Sequence, residues 1–177
     1  MSSPPKKCVV DTNVPKIANL ALKPDPDSDV PDSCIEECIF AVERVRSRGG
    51  LVLDESGEIF REYLDNLSLG GQSGVGDAFA KWVNDNQWNS QHVDRISISK
   101  TGENYDQFPY HVDLQDFDKA DRKFVAVANA HPDKPPILQG TDSKWCGWKD
   151  ALEDVGITVN FLCPDYVKEK YSKKMPA

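Results

Sequence analysis

The sequence predicts an α/β fold, a three-layer α/β/α sandwich with a central, mainly parallel sheet. Two observations favour it. Short apolar runs bounded by turn residues, which are typical of buried parallel strands, alternate with segments whose apolar residues recur at helical spacing. In addition, a length of 177 residues is typical of a single domain. A domain of this size buries roughly two-thirds of the surface that its unfolded chain exposes.

Five segments carry a strand pattern. Two of them are short apolar runs, and two others are short and mix apolar with polar residues. Segment 93–99 alternates apolar and polar residues, which is typical of a strand with one solvated face near a sheet edge. In chain order the predicted strands are 8–10, 51–53, 93–99, 137–142 and 157–162. The fourth ends in Thr141 and Asp142.

Six segments carry a helical pattern, and in chain order they are 16–22, 32–48, 58–67, 77–86, 116–130 and 145–155. The second helix should be capped by Asp32 or Ser33 and should end at Gly49. Trp145 and Trp148 recur at helical spacing, so we interpret them as core residues rather than as platforms for stacking bases.

The remaining segments are predicted loops, because they are rich in Pro, Gly, Asp or other polar residues. They are 23–29, 70–76 and 101–116. The glycine-rich one lacks the ending of a phosphate-binding loop, so we interpret it as a connector. We expect residues 1–7 to be a flexible N-terminus, 8–165 to be the domain, with an insertion at about 70–117, and 166–177 to be a frayed, basic C-terminal tail.

The charge balance argues against two classes of function. The formal net charge of −8 disfavours a general nucleic-acid coat and a membrane-surface protein. It is compatible with a nucleic-acid enzyme, since bound divalent cations offset clustered carboxylates. No apolar run approaches the ~20 residues that span a bilayer, and Asp11 interrupts the apolar run behind the N-terminus. We therefore expect a cytoplasmic protein with no membrane partner.

The cysteines are odd in number and none forms a CxxC pair. They are Cys8, Cys34, Cys38, Cys146 and Cys163. Cys34 and Cys38 are four residues apart on a predicted helix and so lie on one face, but neither a second pair nor a nearby His completes a zinc site. We expect all five to be small apolar residues in a reducing compartment.

Four carboxylates occupy similar positions in the alternation. Asp11 and Asp142 come just after predicted strands, whereas Glu62 and Asp121 come early on predicted helices. In a doubly wound sheet all four converge on the crevice at the carboxyl ends of the strands. Each position also has an ordinary explanation, because Asp is a common turn, N-cap or first-turn residue and an exposed Glu needs no partner.

Carboxylates that converge in this way imply a cation. Four of them within a few Å do not all stay ionised alone, because each raises the proton affinity of the others. Oxygen ligands of this kind select Mg²⁺ or Mn²⁺. Two such ions about 3.5–4 Å apart suit in-line displacement at phosphorus, where one activates water and the other stabilises the leaving oxygen.

Four stretches resemble, in order, the acidic motifs of PIN-domain nucleases. They are Val9-Val10-Asp11-Thr12-Asn13, Glu62 with Leu67 five residues on, Asp121 leading a helix of small residues to Ala128, and Ile137 to Asp142. The resemblance runs from residue 8 to about residue 163. It implies a PIN-like α/β sandwich, often dimeric, that hydrolyses phosphodiester bonds of single-stranded RNA with Mg²⁺ or Mn²⁺.

The resemblance also implies roles for individual residues. The expected catalytic, metal-binding carboxylates are Asp11, Glu62, Asp121 and Asp142. Asn13 should orient Asp11 or a metal-bound water, and Thr141 or Ser143 should hydrogen-bond the cluster.

Glu58 and three basic residues complete the predicted site. Glu58 competes with Glu62 as a ligand, because one helical turn places both on the same face. Lys144 stands where some family members carry a further acid, so we expect it to contact a phosphate or to weaken a second metal site. Arg122 and Lys123 are further candidates for nucleic-acid contact.

Several functions stay open on the sequence alone. The first is a metal-dependent endoribonuclease, for instance the toxin of a toxin–antitoxin pair that a partner protein holds inactive. A structure-specific DNA nuclease usually needs an arch or clamp for duplex DNA, which the sequence does not show. A catalytically silent PIN-like interaction module predicts a broken carboxylate set, whereas this set is complete. A phosphoaspartate receiver would show paired acids on an early strand and a later lysine, which do not occur here in that order.

Overall fold

The computed structural model of the protein describes residues 5–70 and 73–174. Its strands are β1 (Val9–Val10), β2 (Leu51–Asp54), β3 (Val93–Ile96), β4 (Lys100–Thr101), β5 (Asn104–Tyr105), β6 (Ile137–Gln139) and β7 (Val159–Phe161). Its α-helices are α1 (Asn13–Ala18), α2 (Asp32–Arg48), α3 (Glu58–Asn66), α4 (Val75–Asn86), α5 (Arg122–Ala130), α6 (Lys149–Asp154) and α7 (Pro164–Lys174). Short 3₁₀ helices span Asn19–Ala21, Val112–Leu114, Lys119–Asp121 and Ser143–Gly147. In these two ranges no helix has the length and apolar character to cross a membrane.

Three of the predicted segments lie partly outside the described residues. They are the N-terminal segment 1–7, the connector 70–76 and the tail 166–177. The expectations for residues 1–4, 71–72 and 175–177 therefore stay predictions.

Five of the strands pair in parallel. β1, β6 and β7 form one sheet in that order, and β2 pairs with β3. A parallel bridge joins Cys8 to Leu51; there the Cys8 N–H donates to Gly50 O at 2.9 Å and the Val52 N–H donates to Cys8 O at 3.0 Å. The spatial order is therefore β3-β2-β1-β6-β7. The predicted α/β class with parallel strands is confirmed, and the carboxyl ends of these strands lie at one edge.

The centre of the fold is apolar because its strands carry continuous rather than alternating apolar residues. Val9, Val10 and the three residues from Leu51 to Leu53 are 0–2% exposed. Helix α5 packs against β1, β2 and β6, and all of its residues from Arg122 to Ala128 are buried. Small side chains on α5 let its backbone approach the sheet closely, so the residues before α5 are fixed relative to the strand ends.

Segment 70–117, which we expected to be an insertion, contributes to the core. It contains α4, whose Phe79 and Val83 are fully buried, and β3, which pairs with β2. The predicted long loop 101–116 is wrong in part, because β4 and β5 form an antiparallel hairpin and a 3₁₀ helix follows it. Gly102 adopts a φ of 64° in the hairpin turn, a conformation that favours glycine.

Two helix starts differ from their predicted positions. The N-cap of α2 is Pro31, so Asp32 is the first helical residue and neither it nor Ser33 caps the helix. α4 starts at Val75 rather than Asp77, because the Asp77 carboxylate accepts a hydrogen bond from the N–H of the N-cap residue and holds the first turn in place.

The predicted frayed tail is a helix instead. α7 continues to Lys174, and its Val167 is 1% exposed. Lys174 Nζ donates a hydrogen bond to Ser143 Oγ at 3.1 Å, which ties the end of α7 to the segment after β6. The boundary that we drew at residue 165 therefore falls inside a packed helix.

The expectation that all five cysteines are reduced is wrong. Cys34 on α2 and Cys163, directly before α7, form a disulfide bond. Cys8, Cys38 and Cys146 are free, and the first two are buried, as expected for small apolar residues. The disulfide joins residues 129 positions apart, a pairing that no local pattern indicates.

Candidate active site

Asp11 lies directly after β1 and is 5% exposed. Its N–H donates to Leu138 O at 3.1 Å, which extends the pairing of β1 with β6. Its Oδ2 accepts a hydrogen bond from the Asn13 N–H at 2.8 Å. Burial, together with the charges of Asp121 and two further carboxylates, raises the pKa of Asp11 to about 8. The hydrogen bond from the Asn13 N–H forms the expected local turn, but it does not offset the cost of burying the Asp11 charge.

Asp121 is the residue before α5. Among the described residues its side chain makes no capping hydrogen bond to that helix, so capping does not explain its position. Instead, Trp145 Nε1 donates to Asp121 Oδ2 at 3.3 Å. Trp145 is fully buried, as we predicted, and so it holds the carboxyl rigidly. Burial and the charges of Asp118 and Asp142 raise the pKa of Asp121 to about 6.

The other two carboxylates of the predicted set are more exposed. Asp142 follows β6 and caps the next 3₁₀ helix, because its Oδ1 accepts a hydrogen bond from the Lys144 N–H at 3.1 Å. Capping therefore accounts for its local geometry, yet its charge still raises the pKa of Asp11 and of Asp121. Glu62 on α3, whose side chain is 27% exposed, acts on the same two groups.

The structure thus gathers Asp11, Glu62, Asp121 and Asp142 near the edge of the sheet where β1 and β6 end. The cluster is loose. Within residues 5–70 and 73–174, no three of these carboxylates have ligand atoms that all lie within 4.8 Å of one another. In that part of the chain only a group of three cysteines meets this distance.

Two basic residues that we expected at the nucleic acid are engaged within the protein. Arg122 is buried, and its guanidinium donates to Phe117 O at 3.1 Å and to Gln115 O at 2.8 Å. Backbone carbonyls therefore already engage this side chain, and its contact with nucleic acid stays a prediction. Lys123 is also buried and forms an ion pair with Glu62. Its ammonium neutralises a carboxylate of the cluster instead of standing free for a phosphate.

Lys144 stays accessible, and it reveals an aspartate that we did not assign to the site. The side chain of Lys144 is 55% exposed, and its Nζ lies 3.1 Å from Asp118 Oδ2. Among neighbouring charges, Asp118 is the one that most raises the pKa of Asp121. The sequence carries a signal for it, because Asp116, Asp118 and Asp121 follow one another closely.

Asn13 and Thr141 tie together the ends of β1 and β6. Asn13 Oδ1 accepts hydrogen bonds from the Thr141 N–H at 2.5 Å and from Thr141 Oγ1 at 3.0 Å. The Asn13 side chain thus orients the chain after β6, whereas its backbone N–H holds Asp11. Ser143, our alternative to Thr141, accepts a hydrogen bond from Lys174 Nζ, and its hydrogen bond to the cluster stays a prediction.

Glu58 and Glu62 have different partners although they share a helix face. Tyr105 Oη donates to Glu58 Oε2 at 2.5 Å, and Lys100 Nζ lies 3.8 Å from Glu58 Oε1. Glu62, unlike Glu58, contributes to the raised pKa of both Asp11 and Asp121, so its charge favours it as the site residue. Both line an open groove of about 260 Å³. The groove's basic residues are Arg61, Lys100, Lys119 and Lys123.

Two polar residues beside β1 were missed. Tyr63 Oη donates to Val10 O at 2.5 Å, and burial raises the pKa of Tyr63 well above its ordinary value, so it stays a donor. Thr12 Oγ1 is buried, and no residue of the described chain hydrogen-bonds to it. Tyr63 belongs to the apolar pattern of the predicted helix 58–67, which does not distinguish it from a core residue. Thr12 adjoins Asp11 in the motif itself.

The arrangement combines two carboxyls of raised pKa, buried Asp11 and half-buried Asp121, with two further half-buried carboxylates and one ammonium. Such a set takes up protons or hard cations, because either one relieves the mutual repulsion of the carboxylates. No family model matches this chain, and neither a curated protein nor a solved structure matches it.

Proposed function

We propose that the chain is a metal-dependent endoribonuclease with a three-layer, PIN-like α/β/α fold, and that it hydrolyses phosphodiester bonds of single-stranded RNA with Mg²⁺ or Mn²⁺. One observation carries the proposal. Asp11 and Asp142 follow the neighbouring parallel strands β1 and β6. The charge of Asp121, which precedes α5, raises the pKa of Asp11, and the charge of Asp142 raises the pKa of both. Open α/β sheets bind ligands at this edge.

The donor set of the cluster fits a hard divalent cation. Its four side chains, Asp11, Glu62, Asp121 and Asp142, would hold the metal, and a bound cation would lower the raised pKa of Asp11 and Asp121. Thr12 Oγ1, to which no described residue hydrogen-bonds, supplies a neutral oxygen beside Asp11. When bound, Mg²⁺ or Mn²⁺ activates a water and stabilises the leaving oxygen.

The protein's own residues hold the carboxylates in position. Tyr63 fixes the carbonyl of Val10 at the end of β1, and Trp145 fixes Asp121. The hydrogen bonds between Asn13 and Thr141 keep the two strand ends together. Such contacts favour hydrolysis because they keep the reacting groups in place. A displacement of about 1 Å at those groups lowers the reaction rate strongly.

Basic residues beside the cluster favour a phosphate backbone as substrate. Arg61, Lys100 and Lys119 line the groove that contains Glu62, and Lys144 is exposed close to Asp142. Ammonium and guanidinium groups bind phosphate oxygens without reading bases. The affinity for a strand bound along this groove should fall as the salt concentration rises.

A catalytically silent interaction module is the second candidate. The ion pair between Lys123 and Glu62 favours it. A catalytic cation would need the Glu62 carboxylate as a ligand, and the Lys123 ammonium already neutralises that carboxylate. The open spacing of the carboxylates within the described residues favours it as well. The two candidates differ in whether a divalent cation binds the cluster and whether RNA is cut.

Cleavage of single-stranded RNA and DNA oligonucleotides tests the proposal. Wild type, Asp11→Asn and Asp121→Asn are compared in Mg²⁺, Mn²⁺ or EDTA, and Asp150→Asn, at an exposed position on α6, serves as the matched control. We expect wild type and the control to cut RNA only with metal, and the two site variants to lose about 100-fold or more of the rate.

Other outcomes separate the alternatives. Cutting that persists in EDTA and in both site variants would indicate a contaminating nuclease and contradict the proposal. Preference for DNA over RNA would point to a DNA nuclease. Absence of cutting by wild type in either metal would favour the silent module.

A further inference from the structure

Three cysteines from two distant segments meet on the side of α2. Cys34 and Cys38 are one helical turn apart on α2, and Cys163 directly precedes α7. Their sulfur atoms all lie within 4.8 Å of one another, and the three residues are 0–5% exposed. Cys34 and Cys163 are joined as a disulfide, while Cys38 is a free thiol. None of them takes part in the carboxylate cluster.

A cavity of about 320 Å³ opens onto the two bonded cysteines. Four carboxylates line it, and within the described residues no lysine or arginine does. The four are Glu36, Glu37, Asp165 and Glu169. An entrance of one charge sign raises the local concentration of ions of the opposite sign. The cavity therefore offers cations a route to Cys34 and Cys163, with Cys38 behind them.

The sulfur positions suit a metal once the disulfide is reduced. Thiolates are soft ligands that select ions such as Zn²⁺ and Cu⁺. A metal–sulfur bond of about 2.3 Å in tetrahedral geometry places the sulfurs about 3.8 Å apart, which is inside the observed 4.8 Å limit. Cys34 and Cys163 face the cavity, so a fourth position is open to water.

We propose that the reduced form of the protein binds one soft cation, Zn²⁺ or Cu⁺, through the thiolates of Cys34, Cys38 and Cys163, and that the disulfide between Cys34 and Cys163 closes this site. A small dithiol opens it. The dithiol transfers two electrons and two protons, the S–S bond breaks into two thiols, and the dithiol becomes a disulfide. The cation then displaces one proton from each of the three thiols.

Cys38 distinguishes a metal site from an ordinary structural disulfide. A structural disulfide needs only Cys34 and Cys163, so Cys38 would then be a small core residue that serine replaces at modest cost in stability.

Metal titration of the full chain in its two redox states tests the proposal. Thiol counting under denaturing conditions first verifies the states, with three thiols expected in the disulfide form, namely Cys8, Cys38 and Cys146, and all five of the chain's cysteines expected after reduction. Under anaerobic conditions each form is titrated with Zn²⁺, with Cu⁺, and with Co²⁺ as a spectroscopic probe. Competition with chelators of known affinity then ranks the ions.

We expect the reduced wild type to bind one equivalent with a sulfur-to-cobalt charge-transfer band, and the disulfide form to show no such band. Cys38→Ser should weaken binding about tenfold or more while it leaves the disulfide able to form. Cys146→Ser and Asp11→Asn should develop the same sulfur-to-cobalt charge-transfer band as wild type, which separates this site from the other thiols and from the carboxylates.

Three outcomes would overturn the proposal. They are a reduced wild type that shows no sulfur-to-cobalt charge-transfer band, an equal band at equal affinity in Cys38→Ser, and an equal band in the disulfide form. Far-ultraviolet circular dichroism checks the fold of each form. If Cys38→Ser is misfolded, Cys38→Ala provides the same comparison with a smaller apolar side chain.

Discussion

Lys123 on α5 and Glu62 on α3 form an ion pair beside Asp11 and Asp121. The Lys123 side chain is 11% exposed and that of Glu62 is 27% exposed, so the pair is only partly screened by water. The ammonium offsets one of the four negative charges of the cluster. A divalent cation that uses Glu62 as a ligand therefore has to displace it.

Replacement of Lys123 by methionine removes the competing charge and keeps much of the side-chain volume. Without metal, Lys123→Met should destabilise the protein by about 1–3 kcal/mol, because Glu62 loses its partner in a partly buried position. With Mn²⁺, the melting temperature should rise more for Lys123→Met than for wild type, because the carboxylate is then available. Differential scanning calorimetry with and without Mn²⁺ measures both effects.

The control for this comparison is Lys81→Met, which breaks an exposed ion pair with Asp85 on α4. It should change neither the stability nor the response to Mn²⁺ appreciably, since exposed pairs contribute little. If Mn²⁺ raises the melting temperatures of Lys123→Met and wild type equally, Lys123 does not compete with the cation.

Ionisation of Asp11 should make the metal-free protein less stable as the pH rises. The pKa of Asp11 is about 8 in the folded protein, compared with 3.8 for an aspartate without interactions. The folded state therefore binds the proton more tightly than the unfolded state does. The stabilisation from this proton is complete below about pH 4 and is lost between pH 4 and pH 8. Asp11→Asn cannot ionise, and at pH 8 it should be more stable than wild type by on the order of a few kcal/mol.

Urea denaturation in EDTA at pH 5, 6.5 and 8 measures this difference. The gap in unfolding free energy between Asp11→Asn and wild type should widen with pH, and Asp150→Asn should show no such widening. A gap that is constant across the three pH values would mean that Asp11 does not carry a raised pKa.

Asp77 should stabilise the start of α4 at neutral pH. Burial raises its pKa, but hydrogen bonds from Lys23, Ser68, Gly74 and Asn19 outweigh burial and lower the pKa to about 2. A lowered pKa contributes stability above the unfolded value of 3.8, and this is lost as the pH falls from about 4 to 2. Asp77→Asn should therefore cost about 2 kcal/mol at pH 7.

Denaturation at pH 7 and at pH 2.5 separates this charge effect from a packing effect. The cost of Asp77→Asn should shrink at the lower pH, where the wild-type carboxylate is partly protonated. Asp85→Asn, on an exposed face of the same helix, should leave the stability nearly unchanged at both values. An equal cost of Asp77→Asn at both pH values would show that the charge does not matter.

Much of the fold followed from the sequence because its central elements have strong apolar patterns. The runs that became β1, β2 and β6 are continuous and apolar, and Gly49 ends α2 as predicted. α7 was missed because Val167 is its only buried residue among those described, which is too sparse a pattern to indicate a packed helix. The hairpin of β4 and β5 was missed because each strand has two residues.

The site was only partly predictable for a related reason. Asp11 and Asp142 were found because polar residues directly after buried strands meet at one sheet edge. The ion pair of Lys123 with Glu62 and the contact of Ser143 with Lys174 were not found, because side chains of helices distant in sequence make them. Periodicity fixes the face on which a residue lies, but not the partner that it meets across the core.

Calorimetric titration with Mn²⁺ most directly tests the central claim, that carboxylates from distant parts of the chain share a cation. The protein is kept in its disulfide form so that the cysteine cluster is closed. Each of four site variants removes one carboxylate: Asp11→Asn, Glu62→Gln, Asp121→Asn and Asp142→Asn. Each should weaken Mn²⁺ binding about tenfold or more, or about 1.4 kcal/mol, while Asp150→Asn binds like wild type. Failure of wild type to bind Mn²⁺, or unchanged binding by all four variants, would contradict the account.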